Sequence, residues 1–267
     1  MSTLIEEPTS AVEPEDPTMS GWMKFRLQLP TLPEAFASLM RTVVVALFVL
    51  TFILQPFFIP SESMEHTLLV GDFLLFNKQV FAPAGPVERW ILPYRQVQRG
   101  DIIVFHHSNP PLLVKRVIGL PGDHLRIRNG HVLVNDVPLQ EPYVAIEPAP
   151  PNSFRDNFPS RRYTDPDIDP DWWRQMQRLI QHGELVVPAG DYFVLGDNRN
   201  HSMDSRFWGF VPRGAIVAAP VMIYFSLRRP STTDVQQGTD DRLGHDSQFT
   251  ARLAEFARWN RIFRVVH

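Results

Sequence analysis

The sequence predicts a mostly β domain that follows one apolar helix. Residues 42–59 form the only long apolar run, which is close to the minimum length for a membrane-spanning helix. After it, short runs of β-branched and aromatic residues are separated by Gly-Asp and Asn-Gly pairs, which is typical of strands and turns. The 25 prolines against 14 glycines also favour loops and strand ends over long helices.

The composition excludes several classes of function. The chain has 267 residues, enough for one sizeable domain with appendages, and a net charge of −3 at pH 7. Nucleic-acid-binding proteins usually carry a basic surplus, so no nucleic-acid partner is predicted. There is no cysteine, which excludes a disulfide scaffold, a thiolate zinc site and a cysteine nucleophile.

The N-terminal part is predicted to be a cytoplasmic segment, residues 1–35, followed by a transmembrane anchor helix, residues 36–58. The first 20 residues are rich in Pro, Glu, Ser and Thr without apolar periodicity, which predicts disorder. Lys24, Arg26 and Arg41 precede the apolar core, whereas the next Lys or Arg is Lys78. The positive-inside rule then places the N-terminus in the cytoplasm and the rest of the chain outside.

Two alternatives to an anchor fit the sequence less well. A cleaved secretory signal begins with a short basic region and ends in small residues, but here about 40 residues precede the apolar core and Gln-Pro-Phe-Phe follows it. A buried core helix is the other alternative, and an unbroken apolar run of 13 residues fits lipid better.

Residues 59–229 are predicted to form one extracytoplasmic domain of short strands. Residues 73–76 and 102–105 read Phe-Leu-Leu-Phe and Ile-Ile-Val-Phe, each preceded by Gly-Asp. Residues 125–134 predict a hairpin, because Asn129-Gly130 supplies a positive-φ turn between two β-rich runs. Further strands are predicted at 192–195 and 215–225.

An insertion at about 141–190 is predicted to interrupt these strands. Residues 141–170 are rich in Pro, Asp and Asn, which indicates a loop. Residues 171–182 predict a short helix with Asp171 as its N-cap and Gly183 just past its end. Its two tryptophans either pack on the sheet, the favoured interpretation, or lie at lipid headgroups.

Residues 230–267 are predicted to be a linker followed by a C-terminal amphipathic helix. Apolar residues recur at helical spacing between 247 and 266, with arginines between them. Such a helix either lies on a membrane surface or packs against the domain, and the pattern does not separate the two.

The candidate chemistry is that of a serine with a lysine as its base. Ser61-Glu62-Ser63-Met64 directly follows the apolar run, and Lys115 lies in the apolar run Leu-Leu-Val-Lys. A serine needs a base to become a nucleophile, and burial can make a lysine neutral enough for that role. A histidine base is the alternative, but no carboxylate is evidently placed to orient one, and a solvated lysine at a strand edge is the ordinary interpretation of Lys115.

Four sequence blocks favour the serine–lysine pair over these alternatives. They read PSESMEHTLLVGD, RGDIIVF, LVKRVIGLPGD and GDNRNHSMDSRFWGFVP. In this order after an apolar helix, they resemble bacterial signal peptidase I over about residues 57–225. The resemblance implies a β-barrel or sheet catalytic domain of that family, with no cofactor and no metal.

The resemblance also implies a role for each matching residue. Ser63 matches the nucleophile and Lys115 the general base, while the Ser61 hydroxyl and the Ser63 backbone N–H match the oxyanion hole. Ser202 matches a residue that orients the lysine. Asp204 and Arg206 match a supporting charged pair, for which a plain structural salt bridge is nearly as good an interpretation. Asp197 and Asn198, in the same block, are expected to be scaffolding.

The implied substrate is a preprotein signal peptide, bound as an extended strand between residues 57–61 and 112–115. Small residues are expected at its −1 and −3 positions because the pockets are apolar and shallow. The expected S1 lining is Ile59, Pro60, Met64, Leu68, Leu113 and Val114. The expected S3 lining is Phe57, Ile59, Leu74 and Val104.

The chain departs from the family pattern at two places. His66 stands where proline is common, which predicts a more mobile turn and a pH-dependent charge near the site. Asn200-His201 stands where Asp-Asn is common. Neither change removes a catalytic group.

Three functions follow as hypotheses. The first is a membrane-anchored signal peptidase in the bacterial cytoplasmic membrane, with its catalytic domain on the periplasmic side and with signal peptides, lipid and the secretion translocon as partners. The second is a Ser-Lys peptidase for a specialised precursor of the pilin or conjugation type. The third is a catalytically silent domain that binds signal peptides.

Overall fold

The computed structural model describes residues 31–49, 53–81, 95–107, 112–228 and 256–266. Contacts divide the chain into two units, residues 1–46 and 47–267. The predicted disorder of residues 1–20 lies outside the described part.

The N-terminal helix, α1, spans Leu32–Phe48 and is exposed over almost all its length. The predicted end of the anchor helix at residue 58 is wrong, because Leu54–Phe58 forms strand β1. Pro56 cannot continue a helix, and β1 pairs antiparallel with the next strand, Phe57 opposite Leu74 and Phe58 opposite Phe73.

Within the described residues, no helix combines the length and the apolar character needed to cross a bilayer.

An eight-stranded antiparallel sheet carries the site. Besides β1 its strands are β2 Asp72–Asn77, β3 Ile102–His106, β4 Leu112–Gly119, β10 Asp191–Leu195, β11 Val211–Pro212, β12 Ile216–Ser226 and β13 Arg264–Val265. They lie in the order β1-β2-β12-β3-β4-β10-β11. β13 pairs with β12 on the edge opposite β2. The four strands predicted at 73–76, 102–105, 192–195 and 215–225 are therefore confirmed within a residue or two.

A smaller, five-stranded sheet has the order β7-β6-β5-β9-β8. Its bounds are β5 His124–Arg128, β6 His131–Val134, β7 Val137–Pro138, β8 Ile180–Gln181 and β9 Glu184–Val186. The predicted hairpin is confirmed as β5 and β6. Asn129 and Gly130 at its turn have φ of 48° and 79°, the left-handed region that an Asn-Gly turn supplies.

The insertion at 141–190 contains two helices as well as loops and strands β8 and β9. The bounds are α2 Ser153–Asp156 and α3 Pro170–Leu179. The predicted ends of α3 are wrong: Asp169 is the N-cap, accepting from the backbone of Asp171 and Trp172, because Pro170 is suited to the first helical position. The chain leaves the helix before Gly183, since residues 180–181 pair as β8.

Trp172 packs inward on the domain, as the favoured interpretation predicts. It is 3% exposed, and its indole N–H donates to the Arg206 carbonyl at 2.9 Å. Phe154, Phe158 and Phe193 belong to the same apolar cluster, which joins the insertion to the large sheet through β10. The insertion is thereby tied to α4, Ser205–Trp208, which lies within the sequence block GDNRNHSMDSRFWGFVP.

The predicted C-terminal amphipathic helix is wrong for residues 257–266. Between residues 257 and 266 the chain forms a 3-10 turn, Trp259–Arg261, and strand β13. Met222 and Ile223 of β12 pair with β13, so this segment adds a strand to the large sheet. Its arginines therefore lie on a turn and a strand rather than along a helix. The predicted linker and the first part of the helix, residues 230–255, lie outside the described residues.

Candidate active site

The candidate nucleophile lies on a tight turn that follows β1. Ser63 is in the 3-10 turn Glu62–Met64, and the Met64 carbonyl accepts from the backbone of Thr67 at 3.2 Å and Leu68 at 2.8 Å. The side chains of Met64 and Leu68 are buried in the apolar cluster below. The turn is therefore anchored on its core side, which leaves Ser63 at the end of the sheet with 8% exposure.

Lys115 reaches this serine from the middle of β4. Its Nζ donates to the Ser63 Oγ at 2.5 Å, and Lys115 is 3% exposed. Ile103 pairs with Lys115 across the β3–β4 ladder, and Val114 precedes it in the strand. The structure thus brings the two predicted catalytic side chains together, although 52 residues separate them.

Burial changes the charge state of Lys115. It lowers the pKa of the amine from 10.5 to about 8. The negative charges of Asp204 and Asp197 oppose this shift, and the positive charge of Arg206 adds to it. A substantial fraction of Lys115 is therefore neutral near pH 8, the form in which the amine accepts a proton.

The loop after β10 packs directly against the nucleophile turn. The Asn198 N–H donates to the Ser63 carbonyl at 3.2 Å. A Cβ on Gly196 would lie 2.4 Å from that carbonyl oxygen and 2.3 Å from the Ser202 Oγ, so only glycine allows this approach. Asn198 is fully buried, which fits its expected scaffold role.

The structure brings Ser202 next to the pair without linking it to Lys115. Its Oγ is buried and makes no hydrogen bond to any described residue. The expected orientation of the lysine by this hydroxyl is therefore not visible as a contact, and that role remains a prediction.

Asp204 and Arg206 form a buried two-pronged ion pair. The Arg206 Nε and Nη2 donate to the two carboxylate oxygens at 2.8 and 2.7 Å, and the Gly196 N–H donates to the carboxylate at 3.1 Å. Burial alone raises the pKa of Asp204, but Arg206, Lys115 and the Gly196 amide together hold it below its usual range. Arg206 also donates to the Arg199 carbonyl at 2.8 Å, so the pair braces the loop that touches Ser63.

A second buried ion pair involves a residue that the sequence did not single out. Arg116, next to Lys115, donates to both Asp197 oxygens at 2.8 and 2.7 Å, and the Thr67 hydroxyl donates to the same carboxylate at 2.6 Å. The Arg116 guanidinium also lies 3.9 Å from the centre of the Tyr143 ring. The block LVKRVIGLPGD contained the signal for this pair, since an arginine buried beside a lysine needs a counter-ion.

An apolar cleft of about 790 Å³ opens at Ser63 and Lys115. Of the predicted substrate-binding residues, it is lined by Phe57, Ile59, Pro60, Leu113 and Val114. The exposed Ser61 also lines it and directly precedes the 3-10 turn that carries Ser63. Lining residues outside the predicted set are Glu62, Leu112, His201 and Met203.

The remaining predicted pocket residues lie beneath the cleft. Met64, Leu68, Leu74 and Val104 are at most 2% exposed and form one apolar cluster with Ile59 and Val114. The volumes of these four side chains therefore set the depth of the cleft, while the five predicted lining residues named above form its surface.

Both departures from the family pattern have a structural counterpart. His66 has φ of 73°, a conformation that the ring of proline cannot adopt, so the turn here differs from one built around proline. The Asn200 side-chain amide donates to the Glu147 carbonyl at 2.6 Å. His201 lies within 3.4 Å of the Pro148 carbonyl and lines the cleft.

A buried serine held by a buried, partly neutral lysine at the end of an apolar cleft is the arrangement expected of a serine hydrolase whose base is lysine. Within the described ranges no three His, Asp or Glu side chains come together as a metal site.

Comparison with known proteins identifies the family. The family model "Signal peptidase, peptidase S26" matches residues 32–225. Signal peptidase I of Leptolyngbya laminosa is 35% identical over 86% of this chain and 95% of its own. The enzyme of Pseudomonas aeruginosa is 33% identical over 77% of each chain. A crystal structure of a signal peptidase I from Enterococcus faecalis matches at 32% identity over 47% of this chain and 97% of that one, with a TM-score of 0.35.

The chain belongs to the signal peptidase family, peptidase S26, and is a serine endopeptidase. The prediction made from the four sequence blocks is confirmed, and the specialised-precursor and silent-domain alternatives are not favoured.

Proposed function

We propose that this peptidase removes N-terminal signal peptides from exported preproteins, cutting after small residues at positions −1 and −3, with Ser63 as nucleophile and Lys115 as general base. The observation that carries the proposal is the 2.5 Å contact between the Lys115 Nζ and the Ser63 Oγ at the end of the cleft. It lies within the reach that a general base needs for the proton it removes.

In the acylation step, neutral Lys115 takes the Ser63 proton while the Oγ attacks the scissile carbonyl. The tetrahedral oxyanion receives hydrogen bonds from the Ser61 hydroxyl and the Ser63 backbone N–H. The lysine then gives its proton to the leaving amine, so the mature protein departs and the signal peptide stays as an ester on Ser63.

In the deacylation step, neutral Lys115 takes a proton from water, and the resulting hydroxide attacks the ester carbonyl. Collapse of the second tetrahedral intermediate releases the signal peptide as its carboxylic acid, which then gives its proton to water, and Lys115 returns its own proton to the Ser63 Oγ. Asp204 and Arg206 support both steps by bracing the loop that carries Ser202 and contacts the Ser63 carbonyl.

The substrate lies along the cleft as an extended strand between residues 57–61 and 112–115. Strand addition supplies backbone hydrogen bonds, and alternate side chains of the substrate point down into the apolar surface. Because this surface rests on closely packed side chains such as Met64 and Leu74, a large residue at −1 or −3 displaces core atoms, whereas alanine does not.

The enzyme is anchored in the bacterial cytoplasmic membrane by its N-terminal apolar segment, with the N-terminus in the cytoplasm and the catalytic domain on the periplasmic side. The asymmetry of basic residues around residues 42–59 supports this orientation. Anchoring brings the cleft to the surface where a translocated signal peptide emerges, so lipid and the secretion translocon are its expected neighbours.

The test is cleavage of a purified preprotein by detergent-solubilised enzyme. Ser63→Ala and Lys115→Ala each remove one half of the pair and are expected to lower kcat by at least about 10⁴-fold. Lys115→Arg is expected to be equally inactive, because arginine keeps its proton. In the wild type, kcat/KM is expected to rise about tenfold per pH unit up to about pH 8 and then level off.

Replacing the −1 alanine of the substrate by phenylalanine serves as the specificity control and should abolish cleavage. Normal processing by Lys115→Ala would end the proposed mechanism. Efficient cleavage of the phenylalanine substrate would end the proposed specificity and leave the mechanism standing.

A further inference from the structure

The C-terminal segment, residues 256–266, is built into the catalytic sheet although it lies beyond the family match that ends at residue 225. Besides the β12–β13 pairing, the Arg258 N–H donates to the Ser226 carbonyl at 2.9 Å and the Phe263 N–H to the Ile223 carbonyl at 2.8 Å. Leu227 and Ala257 form a further antiparallel bridge. These bonds hold the 3-10 turn at Trp259–Arg261 against the start of β2.

Asp72, the first residue of β2, is the first anchor of this segment. It has no exposed surface, and Arg261 donates to its two oxygens at 3.1 and 2.6 Å. The Ser226 hydroxyl and the Leu69 N–H complete the carboxylate's hydrogen bonds at 2.7 and 2.8 Å. Removing the cation partner of a buried carboxylate strongly lowers the free energy of unfolding.

The second anchor is the nucleophile turn itself. The Arg261 Nη2 also donates to the Thr67 carbonyl at 2.9 Å, four residues after Ser63. The Thr67 backbone N–H is bonded to Met64, and its hydroxyl is bonded to Asp197. The Arg261 guanidinium therefore holds the turn through the Thr67 carbonyl, while Asp197 holds it through the Thr67 hydroxyl.

We infer that Arg261 is a positioning residue: through the Thr67 carbonyl it sets the placement of the Ser63 Oγ against Lys115. The guanidinium is suited to this because its planar fork can hold a carboxylate and still offer an N–H to a carbonyl. Arg261 does not line the cleft, so its loss should disturb the reacting pair more than the binding of the peptide.

The first experiment measures kcat and KM of Arg261→Met on a peptide with alanine at −1 and −3, at a temperature where circular dichroism shows the enzyme fully folded. Because small misplacement of reacting groups is costly, kcat is expected to fall at least about tenfold, with KM within about threefold of the wild type. The Tm is expected to fall as well, because the buried Asp72 carboxylate loses its hydrogen-bonded cation and keeps only Arg258, whose Nη1 lies 3.9 Å away.

A second variant separates positioning from stability. Adding Asp72→Asn to Arg261→Met removes the buried carboxylate charge, which only the more distant Arg258 would still compensate, so the Tm should recover by at least half. The contact to the Thr67 carbonyl is still missing, so kcat should stay low. If the double variant regains wild-type kcat together with its Tm, Arg261 is only a counter-ion and the inference is wrong.

Arg264→Met is the matched control, since Arg264 is an exposed arginine three residues further along the same segment. It should leave both kcat and Tm unchanged. Wild-type kcat in Arg261→Met would also overturn the inference, whereas the proposed Ser63–Lys115 chemistry would be unaffected by either result.

Discussion

Lys115 and Arg116 are neighbours on β4 and both are 3% exposed, but their side chains have different kinds of partner. Within the described residues no carboxylate lies at ion-pair distance from the Lys115 Nζ, which instead contacts the Ser63 hydroxyl. Arg116 faces the other way and is held by both oxygens of Asp197. One side of the strand therefore carries a cation that can lose its proton, and the other carries a permanent charge that ties the scaffold together.

This difference follows from the geometry of a strand and from the chemistry of the two side chains. Successive residues point to opposite faces, so Lys115 meets the cleft while Arg116 meets the loop at Asp197. An ammonium gives up its proton when it is buried without a counter-ion, whereas a guanidinium does not. The proposed base and the arginine that pairs with Asp197 therefore lie one residue apart and have separate roles.

The largest expected effect on stability comes from removing the buried Arg116–Asp197 ion pair. Arg116→Met leaves the Asp197 carboxylate buried with only the Thr67 hydroxyl as a remaining side-chain partner among those described above. We expect a loss of about 3–5 kcal/mol in the free energy of unfolding, measured by urea denaturation at pH 7. Arg174→Met, which removes a highly exposed ion pair with Asp171, should cost less than about 1 kcal/mol. Equal losses in the two variants would remove the distinction between a buried brace and a surface pair.

The matching substitution on the cleft face of β4 should raise the free energy of unfolding instead of lowering it. Lys115→Met removes a buried amine whose pKa is lowered from 10.5 to about 8, so the inactive variant should be more stable than the wild type by about 3 kcal/mol at pH 7. Between pH 8 and 10.5 the wild type takes up a proton on unfolding, so its stability rises with pH and the gap should close.

Urea denaturation of both proteins from pH 7 to pH 10.5 measures this difference. A gap that stays constant across the range would mean that folded Lys115 keeps an ordinary pKa, and the contrast between the two faces of β4 would fail. Below pH 8 the lysine is protonated in both the folded and the unfolded state, so the gap should not vary there.

The smallest expected effect is that of Ser202→Ala. The Ser202 hydroxyl is buried without a hydrogen bond to any described residue, so its removal should change the free energy of unfolding by less than about 1 kcal/mol. The contact between Lys115 and Ser63 exists without it, so kcat should fall no more than about tenfold. A fall near that of Lys115→Ala would instead show that Ser202 holds the lysine during turnover.

Ser205→Ala is the matched control for this variant. Ser205 is also buried, 0% exposed against 6% for Ser202, but its hydroxyl accepts a hydrogen bond from the Val194 N–H at 2.9 Å. Its loss leaves that donor unpaired and should cost about 1–3 kcal/mol. The two serines therefore test whether burial or the hydrogen bond decides the stability effect.

The strands and the chemical identity of the site were accessible from the sequence because their signals are local. The Asn129-Gly130 turn and the Gly-Asp pairs precede or join apolar runs, and Ser63 and Lys115 lie within recognisable blocks. The ends of helices were less accessible. Pro56 and Pro170 each shifted a predicted boundary, and in both cases the chain obeyed proline and strand pairing rather than apolar periodicity.

The C-terminal segment was mispredicted for a different reason. Its apolar and basic residues fit a helical period, but β12 offers an open edge at Met222 and Ile223, and Asp72 offers a buried carboxylate to Arg261. Neither partner is near in sequence, so periodicity alone favoured the helix. Tertiary pairing decided the outcome.

The sequence by itself determined the family, because the four blocks are short segments that can be matched without the fold, and through that resemblance it predicted Ser63 and Lys115 as the reacting groups. Only the tertiary structure decided their state: that Lys115 is buried enough to lose its proton, that Arg116 is paired with Asp197, and that Arg261 reaches Thr67. Burial and pairing depend on residues between 50 and 200 positions apart, and a pKa is set by what surrounds a group in space.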